Sequence, residues 1–88
     1  MTWDIKWSPT AQKQLQKITK SNTVIAQQIV KRLEEIIDNP FDLTDKLHGT
    51  DLRKLRVGSY RVIMSLEKQK IIIFIVEVGY RSKIYKKY

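Results

Sequence analysis

The residues that could do chemistry here are basic or phenolic, and most stand close together: Lys54, Arg56, Arg61, Arg81 and Tyr85. Arginine offers a planar, permanently charged fork of donors that matches a phosphate. Lysine can exchange a proton once neighbouring cations disfavour its charged form, and tyrosine can stack on a base or pass a proton. The set therefore points to binding of anions, and of phosphate in particular. No cysteine is present, so neither a disulfide framework nor a thiolate metal site is available. The one histidine, His48, leaves little room for zinc chemistry and stands beside Gly49 with no carboxylate at a telling spacing. No metal or cofactor is expected.

These side chains need an element to hold them, and Lys54 to Met64 reads as a β-hairpin. Alternating residues flank Gly58-Ser59, which fits a two-residue type II′ turn with Gly58 at the positive-φ position. Val57 then faces Tyr60 and Leu55 faces Val62, an apolar side that belongs to a core. Arg56 faces Arg61 on the other side, with Lys54 two residues along. Two guanidinium groups placed so repel by roughly 0.7 kcal/mol in a water-like dielectric and about 3 kcal/mol at an effective value near 20. An anion that supplies the missing charge would explain the pairing; so would a solvated face on which Glu77 neutralises one arginine.

The 88 residues make one domain, 1–88, with a single small core. The net charge of +8 is unevenly placed: residues 1–45 carry six Lys/Arg and six Asp/Glu, residues 46–88 eleven and three. That polarity suits nucleic acid, an acidic protein partner, or both. The apolar runs are too short to span a bilayer and no signal peptide is evident, so a cytoplasmic protein is expected, with no membrane partner.

Along the chain, Thr2 to Trp7 alternates as a half-buried strand, with Trp3, Ile5 and Trp7 on one face. Ser8-Pro9 starts a short helix that ends between Thr19 and Asn22. A second helix over 23–38 places Ile25, Ile29, Leu33, Ile36 and Ile37 on one face, and Pro40 forbids its continuation. Phe41 to Thr50 reads as a connector. Ile71 to Val78 is apolar but for Glu77, as in a central strand; the turn before it has no Gly, Asn or Pro, which leaves open whether Arg61 faces Glu77 or Val76. Gly79 should let the chain turn and bring Arg81 back towards the hairpin. The fold class is α+β, β-α-α-β-β-β, with a small, mainly antiparallel sheet and a helical hairpin on one face.

That order, together with Arg56-Val57-Gly58-Ser59-Tyr60-Arg61, the preceding Leu47-His48-Gly49 and the closing Tyr80-Arg81 followed by Tyr85, resembles the RelE/ParE toxin superfamily of toxin–antitoxin systems over the whole chain. In the RelE branch the resemblance implies a RelE-like fold and a toxin that enters the ribosomal A site and cuts mRNA with Lys, Arg and Tyr in place of the usual histidines. Lys54, Arg61, Arg81 and Tyr85 match that catalytic set, with Arg56, Arg53 and Lys83 as substrate-binding residues. The implied partners are a RelB-like antitoxin, the ribosome and its mRNA. Leu52 stands where the best-known RelE type has a further lysine, and Tyr80 where many members have histidine. The same motif occurs in the ParE branch, which inhibits DNA gyrase and cleaves no RNA. RNA cleavage suits the residues, because a 2′-hydroxyl attacking its own phosphate needs only a base, charge stabilisation and a proton donor. Lys54 would be the base, its pKa lowered by Arg56 and Arg61.

Overall fold

Ser8 and Pro9 do what their types require. The Ser8 hydroxyl accepts from the Ala11 N–H at 3.0 Å, and Pro9 opens a helix whose first amide needs no partner. The computed structural model describes residues 2–88. Its elements run β1 (Asp4–Trp7), α1 (Pro9–Ser21), α2 (Thr23–Glu35), α3 (Pro40–Leu43), β2 (Asp45–Lys46), β3 (Arg53–Val57), β4 (Tyr60–Glu67), β5 (Ile72–Tyr80) and α4 (Arg81–Lys87). The sheet order is β1-β5-β4-β3-β2, with β1 parallel to β5 and the other pairs antiparallel. Asn22 ends α1 and also caps α2, accepting from the Ile25 N–H.

Three elements depart from the sequence expectation. The second helix stops at Glu35 rather than 38: the Ile36 N–H turns to the Leu33 carbonyl, and Ile36 is buried as the chain leaves the helix axis. The connector holds a one-turn helix started by Pro40, and then β2, which pairs with β3 through Asp45 and Lys46. The basic end of the chain is a helix, α4, packed on β4 and β5.

One face of the sheet carries the core. Leu55, Val57, Val62, Met64, Ile73, Ile75 and Val78 are buried with Ala11 and Ile18 of α1 and Ala26, Ile29 and Leu33 of α2. Strict alternation along β5 would send Glu77 into this core beside Ile73 and Ile75. A bulge prevents it. Ile63 pairs with Glu77 but Met64 with Ile75, so Val76 has no partner and the parity flips. Val78 enters the core, while Glu77 and Gly79 turn to the opposite face. The α1 side chains support the bulge, since Ser8 Oγ donates to the Val76 carbonyl at 2.8 Å and Gln14 Oε1 accepts from the Val78 N–H at 2.6 Å. They satisfy backbone groups that β1, which ends at Trp7, leaves exposed. The bulge also answers the open register: Arg61 faces Gly79.

The turn into β5 places Ile71 at φ +56°. A β-branched residue adopts that conformation at a cost of about 1–2 kcal/mol, and with Ile in place of Gly or Asn no turn residue marks the position in the sequence.

Candidate active site on the open face of the sheet

The hairpin forms with the expected register: Val57 opposite Tyr60, Leu55 opposite Val62, Arg56 opposite Arg61. Gly58 has φ +58° and Ser59 is not in the left-handed region, as a type II′ turn requires. Lys54, Arg56 and Arg61 therefore share the face away from the core, and α4 lies over part of it.

Arg61 is the most constrained of the cations, with 6 % of its surface exposed. Its Nη1 donates to the carbonyls of Gly58 at 3.0 Å and Tyr60 at 2.9 Å, and Nε donates to the Tyr85 hydroxyl over a long 3.4 Å. Among the described residues no carboxylate pairs with it. Glu77, which would neutralise one arginine of a solvated face, faces Ile63 and binds Lys87 instead. Arg56 is relieved differently, by Asp45 of β2 at 3.7 Å. Both side chains are exposed, so that pair contributes little. The repulsion expected between Arg56 and Arg61 is thus relieved by backbone carbonyls on one side and a loose ion pair on the other.

Tyr85 completes the cluster. Its ring centroid lies 5.8 Å from the Arg61 guanidinium carbon and 5.6 Å from Lys54 Nζ. The hydrogen bond from Arg61 holds its phenol below the ordinary tyrosine range, with the charges of Arg61, Lys54 and Arg56 adding to the effect. Gly79 makes room for this arrangement, since a Cβ there would meet Ile84 Cδ1 at 3.2 Å.

Of the remaining candidates, Arg81 begins α4; its backbone N–H donates to the Ser59 carbonyl at 2.8 Å and its side chain is exposed. Lys83 does not join the cluster. It lines a groove beside α1 with Gln14, Lys17 and Glu77. Arg53 does not join it either, because its register opposite Met64 sends it to the other face. There it donates to Thr44 Oγ1 and to the carbonyls of Phe41 and Thr44, and stacks on the Phe41 ring, tying the α3 connector to β3. Its parity with Leu55 and Val57 was the signal in the sequence. His48 takes no part in these contacts, and the described residues contain no group of three His, Cys, Asp or Glu able to hold a metal ion. Two participants escaped the sequence reading, Asp45 and Lys87. Asp45 required recognition of a two-residue strand, and Lys87 required the folded-back helix.

Fold and site together define a small α+β protein with a cationic, phenol-bearing sheet face. Residues 5–85 match the family model described as the ParE toxin of type II toxin–antitoxin systems. The chain belongs to the RelE/ParE superfamily and is a toxin of a type II toxin–antitoxin system. It is 33 % identical over 86 residues to a RelE-like toxin protein of Escherichia coli, covering 94 % of this chain and 87 % of that one. It is 28 % identical over 72 residues to the mRNA interferase toxin RelE of Escherichia coli K12, covering 78 % and 76 %. The toxin fold in the intact Escherichia coli RelBE toxin–antitoxin complex superposes with a TM-score of 0.77 at 24 % identity, over 89 % of this chain and 95 % of that one. The RelE-like α+β architecture is therefore the fold of this protein. Among the described residues no helix is long and apolar enough to cross a membrane.

Proposed function

We propose that this toxin is an endoribonuclease of the RelE type, which enters the ribosomal A site and cuts translated mRNA by a route that needs no metal. The observation that carries the proposal is Arg61: buried, held by two backbone carbonyls and Tyr85, and without a carboxylate of its own. A cation desolvated in that way is oriented for an incoming anion. Arg61 and Arg81 would hold the scissile phosphate, with Arg56 on a flanking one. Lys54 would take the proton of the 2′-hydroxyl, whose oxygen attacks the phosphorus. As the bond from phosphorus to the 5′-oxygen breaks, the Tyr85 phenol, made more acidic by Arg61, returns a proton to that oxygen. The products are a 2′,3′-cyclic phosphate and a 5′-hydroxyl. The name of the Escherichia coli K12 relative, an mRNA interferase, supports the same reading. A RelB-like antitoxin would cover the basic face, and the site of action would be the cytoplasm.

The matching family model is described by ParE, which favours one other reading, a gyrase inhibitor without nuclease activity. One experiment separates the two. On programmed ribosomes with an intact A site, the toxin should cut mRNA within the exposed codon, in the presence of EDTA where polyamines keep the ribosome assembled. A single 2′-deoxynucleotide at the scissile position should abolish cutting and leave binding nearly unchanged. Cleavage of the deoxy substrate would overturn the mechanism; intact mRNA together with loss of DNA supercoiling in cells would establish the gyrase reading.

A further inference from the structure

Glu77 is the one buried carboxylate of the described residues, 7 % exposed, and half of it is unexplained by pairing. Its Oε1 accepts from Lys87 Nζ at 2.8 Å, while its Oε2 is buried without a partner. Such a group costs free energy to desolvate, and an apolar side chain opposite Ile63 would serve stability as well or better. Lys87 is the second participant. Its side chain is largely exposed, and its pKa is raised by the hydrogen bond to Glu77.

The geometry of α4 gives the pair a purpose. Seven residues cannot hold a helix in isolation, so α4 exists only as docked. At 100° per residue, Tyr85 lies about 100° to one side of the buried Ile84 and Lys87 about 60° to the other. The sheet beneath has the same order. Glu77 and Gly79 lie on β5, under Lys87 and Ile84, whereas Arg61 on β4 and Lys54 on β3 lie under Tyr85. The two contacts straddle Ile84 and oppose rotation of the helix about its axis. The hydrogen bond from the Arg81 N–H to Ser59 fixes the other end without resisting that roll.

We propose that Glu77 is a positioning residue which, through Lys87, fixes the roll of α4 and so keeps the Tyr85 hydroxyl on Arg61. This rests on the reading above that Tyr85 takes part in cleavage, but its physical content does not depend on it. The bulge at Val76 acquires a role as well, because it is what turns the carboxylate to the α4 side of the sheet.

The test uses the full-length purified toxin. Lys87→Gln removes the ion pair at an exposed side chain and cannot by itself unfold the core. Tyr85 is followed by ultraviolet titration, as the difference between each protein and the same protein carrying Tyr85→Phe. In Lys87→Gln the Tyr85 titration should move up to the ordinary tyrosine range. Amide exchange over 81–87 should quicken about tenfold, as when roughly one charge-assisted hydrogen bond no longer opposes local opening. Thermal unfolding of the sheet should stay within a few degrees of wild type, and Lys87→Arg should restore both local readouts. On ribosomes, Lys87→Gln should lower kcat and leave KM unchanged. A Tyr85 titration unmoved in Lys87→Gln overturns the proposal, whatever happens to cleavage. If the titration moves while the wild-type toxin cuts no mRNA, the positioning role stands and the nuclease reading falls.

Discussion

At the scale of single residues, Arg61 and Tyr85 act on one another, and their substitutions should be read together. Arg61→Gln removes the side-chain donor that the carbonyls of Gly58 and Tyr60 share, so it should cost about 1–2 kcal/mol in denaturant unfolding. The same change should lower cleavage by about two orders of magnitude or more, as loss of an oxyanion donor does. It should also raise the Tyr85 titration, since the largest influence on that phenol is gone. Tyr85→Phe should leave stability unchanged within about 0.5 kcal/mol, because the residue is 52 % exposed. Single-turnover cleavage by Tyr85→Phe should fall about a hundredfold; retention of the full rate would remove the phenol from the mechanism. A phenol with a lowered folded pKa stabilises the fold fully only above its unfolded value of about 10, and that contribution is lost as pH falls through the folded value.

Among the elements, the bulge in β5 decides what faces the site, and α1 decides whether the bulge is stable. Ser8 does two things with one hydroxyl, capping α1 and donating to the unpaired Val76 carbonyl. Ser8→Ala should therefore cost about 2 kcal/mol, more than an ordinary cap, and thermal unfolding should fall by roughly 8–16 °C for a domain of this size. A loss no larger than that of a simple cap would mean that the bulge holds without Ser8. The two glycines of the site separate turn strain from helix docking. Gly58→Ala makes only an ordinary contact, 3.5 Å to Ile25 Cδ1, but keeps a φ of +58°, so it should destabilise the whole fold by about 1–2 kcal/mol. Gly79→Val adds bulk under Ile84 and should lift α4, with fast amide exchange confined to 81–87 and the rest of the sheet protected.

Over the whole molecule the relevant quantity is the charge of +8 and where it lies. If Lys54, Arg56, Arg61 and Arg81 each meet a phosphate of single-stranded RNA, affinity should fall about 50-fold between roughly 50 and 200 mM salt. A filter-binding series would check this, and a shallow slope would mean fewer phosphate contacts than the cluster offers. An acidic antitoxin segment laid on the same face should show the same sensitivity in its association rate, and charge reversal at Arg56 and Arg61 should slow it.

The sequence by itself determined the parts ruled by short-range chemistry. The Ser8-Pro9 start, the amphipathic second helix and the Gly58-Ser59 hairpin are each set by residues within about ten positions of one another. So is the placing of Lys54, Arg56 and Arg61 on one side, which follows from the period of a strand. Tertiary structure decided the rest. Val76 is one of seven apolar residues between 71 and 78, and only pairing with β4 and the reach of Ser8 and Gln14 make it the bulge. From that bulge follow the burial of Glu77 on the far face and its pairing with Lys87 rather than with Arg61. Arg53 shows the converse, a basic residue next to the cluster in sequence that faces away from it, because adjacent residues in a strand point to opposite sides. The closing helix was out of reach of periodicity, since seven residues carry no helical signal of their own and fold only against Gly79 and Glu77 beneath them.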